Sequence, residues 1–508
     1  MRYVIGIDLG TSATKAVLFD ETGVKIASAS AEYPMYQPQN GWAEQNPEDW
    51  YNAAVTVIRE MLQKSGVSAE KIVSLGISGQ MHGLVMLNEN GDVIRPCILW
   101  CDQRTKKECD ELTETVGRER LIEITANPAL TGFTASKILW VKNNEPQNFS
   151  DCRHILLPKD YLRFRLSGVF ASEMSDASGT QLLDVPNRKW SQEMLDAVGV
   201  PMSAMPELYE SPEITGYISA QASAATGFSV KTAVVGGAGD NAAAAVGTGV
   251  VENGSAFTTI GTSGVVYVHT DVPVLDPKGR IHTFCCAVPG AWHVMGVTQG
   301  AGLSLQWFKN QFCAEEIQRA QQANRSVYAL LDEAAKQVPI GAENLFYLPY
   351  LMGERTPHLD PDCRGVFFGI SAKHTRAHFV RAVMEGVSYS LYDCLCVMHE
   401  TGINPVAMLI TGGGGASAFW RQMLCDLFAL PVKTAESTDG AALGVAVLAA
   451  VGAGIYENVP SACKTMVKYN PDTQQPDARR TAEYRHFHAF YDSLYGALKD
   501  RFCALASL

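Results

Sequence analysis

The feature that most limits what this chain can become is a piece of local grammar written twice. Tyr3–Asp20 runs as an apolar stretch (VIGI), Asp8, a small-residue turn at Gly10-Thr11-Ser12 and a second apolar stretch (AVLF). Ala256–Val268 repeats the pattern as FTTI, Gly261-Thr262-Ser263 and VVYV. Each reads as strand, tight turn, strand. The two turns stand about half of the 508 residues apart. A duplicated architecture is therefore expected: two domains, each opening with a β-hairpin, facing one another across a central cleft.

Between and after the hairpins, short β-branched runs alternate with longer helical ones, the mark of α/β domains. Trp50–Lys64 has helical spacing and follows Asn46-Pro47-Glu48, a helix start signal. Ile72–Ile77, Thr232–Val235 and Leu409–Thr411 read as buried strands ending in glycine. The organisation expected is a first domain over residues 1–248, a second over 249–470, and a C-terminal helix over 471–508. Tyr484, Phe487, Phe490, Tyr491 and Leu494 form a stripe on that helix, which must pack on something; the expectation is a return to the first domain. Gly440–Tyr456 is uncharged, but its 17 Ala-, Gly-, Val- and Leu-rich residues suit a buried helix better than a membrane span.

Charge narrows the partners. Lys and Arg number 41 against 53 Asp and Glu, a net charge of −12 that argues against nucleic acid as the target while allowing a local pocket for a small phosphorylated ligand. The 13 cysteines form no paired CxxC arrays, so neither a zinc site nor a regular disulfide framework is indicated; free thiols in a reducing cytosol are expected. The opening MRYVIGIDLG has too short an apolar run for a signal peptide, and no membrane association is expected.

The chemistry rests on a few segments. A carboxylate at a strand end before a Gly-Thr-Ser turn lets backbone N–H groups approach a polyphosphate while Asp8 holds Mg²⁺ through water. Lys15, where the second strand begins, could neutralise phosphate charge; the plainer alternative is an ordinary hairpin with a solvated Asp. Two such turns facing each other could grip both sides of one triphosphate. Gly412–Gly415, then Ala416-Ser417, is a glycine loop between strand and helix that could take a base or ribose, or could simply be a tight turn. Gly236–Gly239 leads to Asp240-Asn241 at the start of an Ala-rich helix. Asp240 reads either as an N-cap, worth about 1 kcal/mol, or as a general base at the mouth of the cleft, and can be both. Ser78-Gly79-Gln80-Met81-His82-Gly83 and Trp100-Cys101-Asp102-Gln103-Arg104 offer donors, an aromatic face and a guanidinium suited to a polyhydroxylated ligand. The bland readings are a structural His82 and a buried Asp102–Arg104 ion pair.

Together these segments resemble the FGGY family of carbohydrate kinases, and within it the members that act on D-xylulose. The resemblance is carried by IGIDLGTSATK, SGQMHG, LWCDQRT, GFTASKILWVKNN, LPKDYLRFRLSG, GGAGDN, TTIGTSG, TGGGGASAFWRQ and TDGAALG. It implies an α/β, actin-like (ribonuclease H-like) ATPase fold and transfer of phosphate from Mg²⁺–ATP to a small sugar. Asp240 matches the family's catalytic base and Asp8 the acid that organises Mg²⁺–ATP. Met81-His82 matches the pair used at the sugar where glycerol kinases have Arg-Glu, and Gly83, Trp100, Asp102 and Asn241 join them as substrate-site candidates. Gly10, Thr11, Ser12, Lys15, Gly261, Thr262, Gly302, Gln306, Gly414, Gly415 and Ala416 are the nucleotide candidates. Cys101 and Ala238 depart from the common pattern without removing a needed charge. Other pentuloses, polyols such as erythritol, and glycerol stand as alternative substrates; an actin- or chaperone-like ATPase is the rival outside sugar kinases. The resemblance also implies a homodimer.

Overall fold

The computed structural model describes residues 1–508. In the first domain, β1 (Tyr3–Leu9), β2 (Ala13–Asp20) and β3 (Lys25–Glu32) form an antiparallel meander. Helix α1 (Pro47–Ser65) follows. Its start is fixed by Asn46, whose side chain accepts from Glu48 N, and by Pro47; its end is fixed by Gly66 at φ 62°. β4 (Ile72–Gly79) then pairs parallel to β1. After a long inserted segment, β5 (Ile214–Tyr217), β6 (Ala233–Val235) and α2 (Asp240–Gly247) complete the domain, with sheet order β5-β6-β4-β1-β2-β3.

The second domain repeats the plan. β7 (Ser255–Ile260) and β8 (Gly264–Thr270) make the second hairpin, extended by β9 (His282–Cys285) and β10 (Trp292–Thr298). Helices α3 (Gly302–Phe312), α4 (Val327–Lys336) and α5 (Arg376–Glu400) precede β11 (Ala407–Thr411), α6 (Ala418–Phe428) and β12 (Val432–Lys433). The order is β9-β10-β8-β7-β11-β12. β1 and β7 thus occupy the same place, each antiparallel to its hairpin partner and parallel to the next strand, β4 or β11. This is the duplicated actin-like arrangement.

Two closing helices bind the halves: the first is buried as expected, and the second docks elsewhere than expected. α7 (Gly440–Gly452) leaves the second domain and packs on β1, β4 and α2 of the first. Its apolar surface is buried nearly all round, from Ala442 to Ala450, which is why its sequence carries no polar face. α8 (Ala478–Ala506), expected on the first domain, lies on α5 and α6 of the second. Its Tyr484, Tyr491, Leu494 and Phe502 sit in the second domain's core, and Tyr484 accepts a 2.6 Å hydrogen bond from Arg381. The aromatic stripe says that the helix is packed; it carries no address, and α7 has already covered the sheet face that α8 would have needed.

Candidate functional site

The catalytic candidates are gathered by strand register. Asp8 on β1 stands opposite Ser78 on β4, and Ser78 in turn stands opposite Ala238. Two residues beyond Ala238, Asp240 opens α2. Asp8, Gly10, Asp240 and Asn241 line one wall of an interdomain cavity of about 690 Å³, with Thr259, Thr411, Gly412, Gly415 and Ala416 of the second domain opposite. Burial raises the Asp240 pKa to about 6, the negative charge of Asp8 adds to that, and hydrogen bonds from Asn241 N (2.7 Å) and Asn241 Nδ2 (3.0 Å) pull the other way. Asp8 is also raised by burial, against the pull of Lys15. A carboxylate tuned toward neutrality, in a cleft, is suited to take a proton from a hydroxyl.

Ala416 also borders a neighbouring cavity of about 600 Å³. Gly261, Thr262, Gly302, Gln306 and Gly414, all nucleotide candidates, line it together with Ser326, Tyr328, Ala329 and Asp332, which were not among the candidates. The segment carrying these four reads only as an amphipathic helix, α4; nothing in its pattern marks a ligand wall. Gly302 N donates to Gly261 O at 2.7 Å, and a Cβ on Gly302 would come within 2.5 Å of that oxygen, so only glycine lets α3 begin against the turn.

The other phosphate-turn candidates are placed less directly. Thr11 Oγ1 accepts from Trp100 Nε1 at 3.0 Å, tying the turn to the segment of Trp100, and Ser12 is exposed. Lys15 is not free to neutralise a phosphate: it pairs with Asp439, just before α7, and Asp439 also holds Lys25 at 2.9 Å. A strand-end lysine facing a nearly buried carboxylate satisfies that carboxylate first.

Among the substrate-site candidates, Met81 packs against Gly239, the residue before Asp240: a Cβ there would meet Met81 Cγ at 3.0 Å. His82 adopts φ 68° and its Nδ1 lies 2.7 Å from Gly179 O. A carbonyl only accepts, so Nδ1 carries the proton and Nε2 is left as an acceptor. Burial, then the charges of Lys137 and Arg355, lower the His82 pKa to about 3, and the ring stays neutral. Lys137 donates to His82 O (2.8 Å) and Gly132 O (2.7 Å), fixing the strained loop. The His82 ring meets Phe133 of its own domain at 4.8 Å and Phe284 of the second at 6.1 Å between centroids. Lys137 lies inside a segment that carried the family resemblance, but a lysine amid buried positions of a helix gives no sign of its carbonyl partners.

Gly83 and Asp102 serve the scaffold here. A Cβ on Gly83 would stand 2.6 Å from Pro158 Cγ. Asp102 is wholly buried, with Arg104 bound through two nitrogens (2.9 and 2.7 Å) and Ala43 N at 2.6 Å. Arg104 also reaches Glu44 and stacks 3.6 Å above Trp42. The ion pair, the plainer of the two readings of this segment, accounts for Asp102; a fully buried carboxylate requires such a cation. Trp100 is 42% exposed and keeps a free face.

Comparison with known proteins gives the family. The model of the FGGY family of carbohydrate kinases, N-terminal domain, matches residues 3–247, and that of the C-terminal domain matches residues 256–453. A xylulose kinase of Bacillus subtilis (strain 168) is 39% identical over 507 residues, covering 100% of this chain and 99% of the relative. One from Escherichia coli (strain K12) is 40% identical, covering 97% and 99%. The crystal structure of a ligand-bound xylulose kinase from Lactobacillus acidophilus superposes with a TM-score of 0.92 at 26% identity, covering 99% of this chain and 100% of that one.

Proposed function

The chain belongs to the FGGY family of carbohydrate kinases, and from that premise we propose that it phosphorylates D-xylulose at its terminal hydroxyl with ATP, giving D-xylulose 5-phosphate and ADP. The observation that carries the reading is the meeting of Asp240, Asp8 and the glycine loop of the second domain around one cavity, with Met81 packed beside the base. The full-length xylulose kinase relatives supply the sugar.

In this reading O5 of the ketose attacks the γ-phosphorus in line, its proton passes to an Asp240 oxygen, and the bond from phosphorus to the β,γ-bridging oxygen breaks to release ADP. Backbone N–H groups of the turns at Gly10–Ser12 and Gly261–Ser263 donate to the phosphate oxygens as charge builds there. The acceptor present suits Mg²⁺: Asp8, lining the cavity, would give a carboxylate of the kind the ion takes beside phosphates and water. When bound, the ion neutralises phosphate charge. Asn241 orients Asp240, and Lys137 and Gly179 orient His82. Closure of the two domains over the sugar excludes water that would otherwise be phosphorylated.

The test is a coupled ADP assay on the parent and Asp240→Ala with D-xylulose, D-ribulose, erythritol and glycerol. D-xylulose should give the highest kcat/KM, and the variant should lose roughly 10²- to 10⁴-fold in kcat while still binding ATP. Glycerol as best substrate, or an active Asp240→Ala enzyme, would overturn the proposal.

A further inference from the structure

The loop that leads into Asp240, Gly236-Gly237-Ala238-Gly239, carries no side chain larger than a methyl group, so only its backbone can be held. On one flank Ala238 and Gly239 stand opposite Ser78 and Gly79 of β4. The fit there excludes bulk: a Cβ on Gly237, at φ 76°, would fall 2.1 Å from Ile77 O. Glycines lose more conformational freedom on ordering than any other residue. What fixes the other flank therefore decides how well Asp240 is aimed.

That flank is gripped by a buried ion cluster. Arg163 Nη1 donates to Gly236 O at 2.6 Å, Gly237 N donates to Ser211 O at 3.0 Å, and Gly239 N donates to Ser175 Oγ at 3.1 Å. Glu173 ties two of these grips together, since its Oε1 accepts from Ser175 Oγ (2.9 Å) and its Oε2 from Ser211 Oγ (2.7 Å). Lys159 Nζ stands 3.2 Å from Glu173 Oε1 and 2.6 Å from Asp160 Oδ1, the oxygen that also accepts from Arg163 Nη2 at 2.8 Å. Glu173, Ser175, Lys159, Asp160 and Arg163 are each at most 1% exposed. Apolar residues in place of such a cluster often leave a protein as stable or more so, which points to fixed geometry rather than stability as what the charges supply. Ser175 is its last link before Asp240. A hydroxyl has one proton, and Glu173 takes it, so the oxygen's lone pairs are left to meet Gly239 N.

We propose that Ser175 is a positioning residue for phosphoryl transfer: oriented by Glu173, it holds Gly239 N and so sets the angle at which Asp240 receives the proton of the attacking hydroxyl. This rests on the reading of Asp240 as the base.

Steady-state kinetics of the full-length parent, Ser175→Ala and Ser175→Cys, with D-xylulose and ATP each varied and melting curves recorded, test it. Ser175→Ala should lower kcat roughly 10- to 100-fold, the scale of a misplaced catalytic group, while both KM values stay within about twofold of the parent. Cys nearly fills the space of Ser, but its sulfur accepts weakly, so Ser175→Cys should fall with Ser175→Ala. On the Asp240→Ala background Ser175→Ala should cost nothing more, because the carboxylate it acts through is gone. Parental kcat in Ser175→Ala or Ser175→Cys, or a further loss of the same size on the Asp240→Ala background, would overturn the assignment. If Ser175→Ala fails to fold, as its melting curve would show, Ser175→Cys decides. An Asp240→Ala enzyme with parental kcat sinks the functional reading; an inactive Asp240→Ala enzyme beside indifferent Ser175 variants sinks only this inference.

Discussion

Asp240, the proposed base, is tuned by its neighbours. Burial and the charge of Asp8 raise its pKa to about 6, and the Asn241 hydrogen bonds restrain the rise. In the proposed mechanism the base works ionised, so kcat/KM for D-xylulose should climb as pH rises through about 6 and flatten above. Removing the Nδ2 donor in Asn241→Ala withdraws a bond to the charged form; the limb should then move to higher pH. A limb that moves to lower pH in that variant would contradict the assigned role of Asn241. His82, held neutral with a pKa of about 3, contributes no limb in this range. Asp240 was legible as a residue because glycines and a helix start frame it in sequence. The partners that tune it were not, because Asp8 reaches it through the register of three strands.

At the scale of elements, the crossing of α7 with α2 decides how the first domain is built. A Cβ on Gly444 would fall 1.8 Å from Ala243 O, and one on Gly6 of β1 would fall 1.8 Å from Ala442 O. Bare backbone on both sides lets α7 sit against sheet and helix at once. Gly444→Val should force the helices apart at a cost of about 1–3 kcal/mol, seen as a lower thermal unfolding midpoint; an unchanged midpoint would show that the crossing yields freely. The sequence announces α7 as a buried helix through its uniform apolar composition. Which sheet it buries against is absent from that composition, since a helix without a polar face has no preferred side.

At the scale of the whole molecule, the last helix belongs to the second domain. His488 Nε2 lies 2.6 Å from Asp393 Oδ1, and Tyr495 donates to Asp360 Oδ2 at 2.9 Å, so polar ties reinforce the buried aromatics. Truncation before Ala478 should uncover the second domain's core, lowering soluble yield and directing limited proteolysis to that domain first. A truncated protein with parental solubility and melting would show α8 to be an ornament. The duplicated hairpins, the glycine loop, the helix start at Asn46 and the identity of the carboxylates could be read from the residues alone, because each depends on neighbours adjacent in the chain. It took the folded chain to show that Lys15 answers to Asp439, that Asp102 is spent on Arg104, and that α8 docks on the second domain. Those outcomes turn on which charges and apolar faces meet across long separations, and a local pattern holds no record of its distant counterpart.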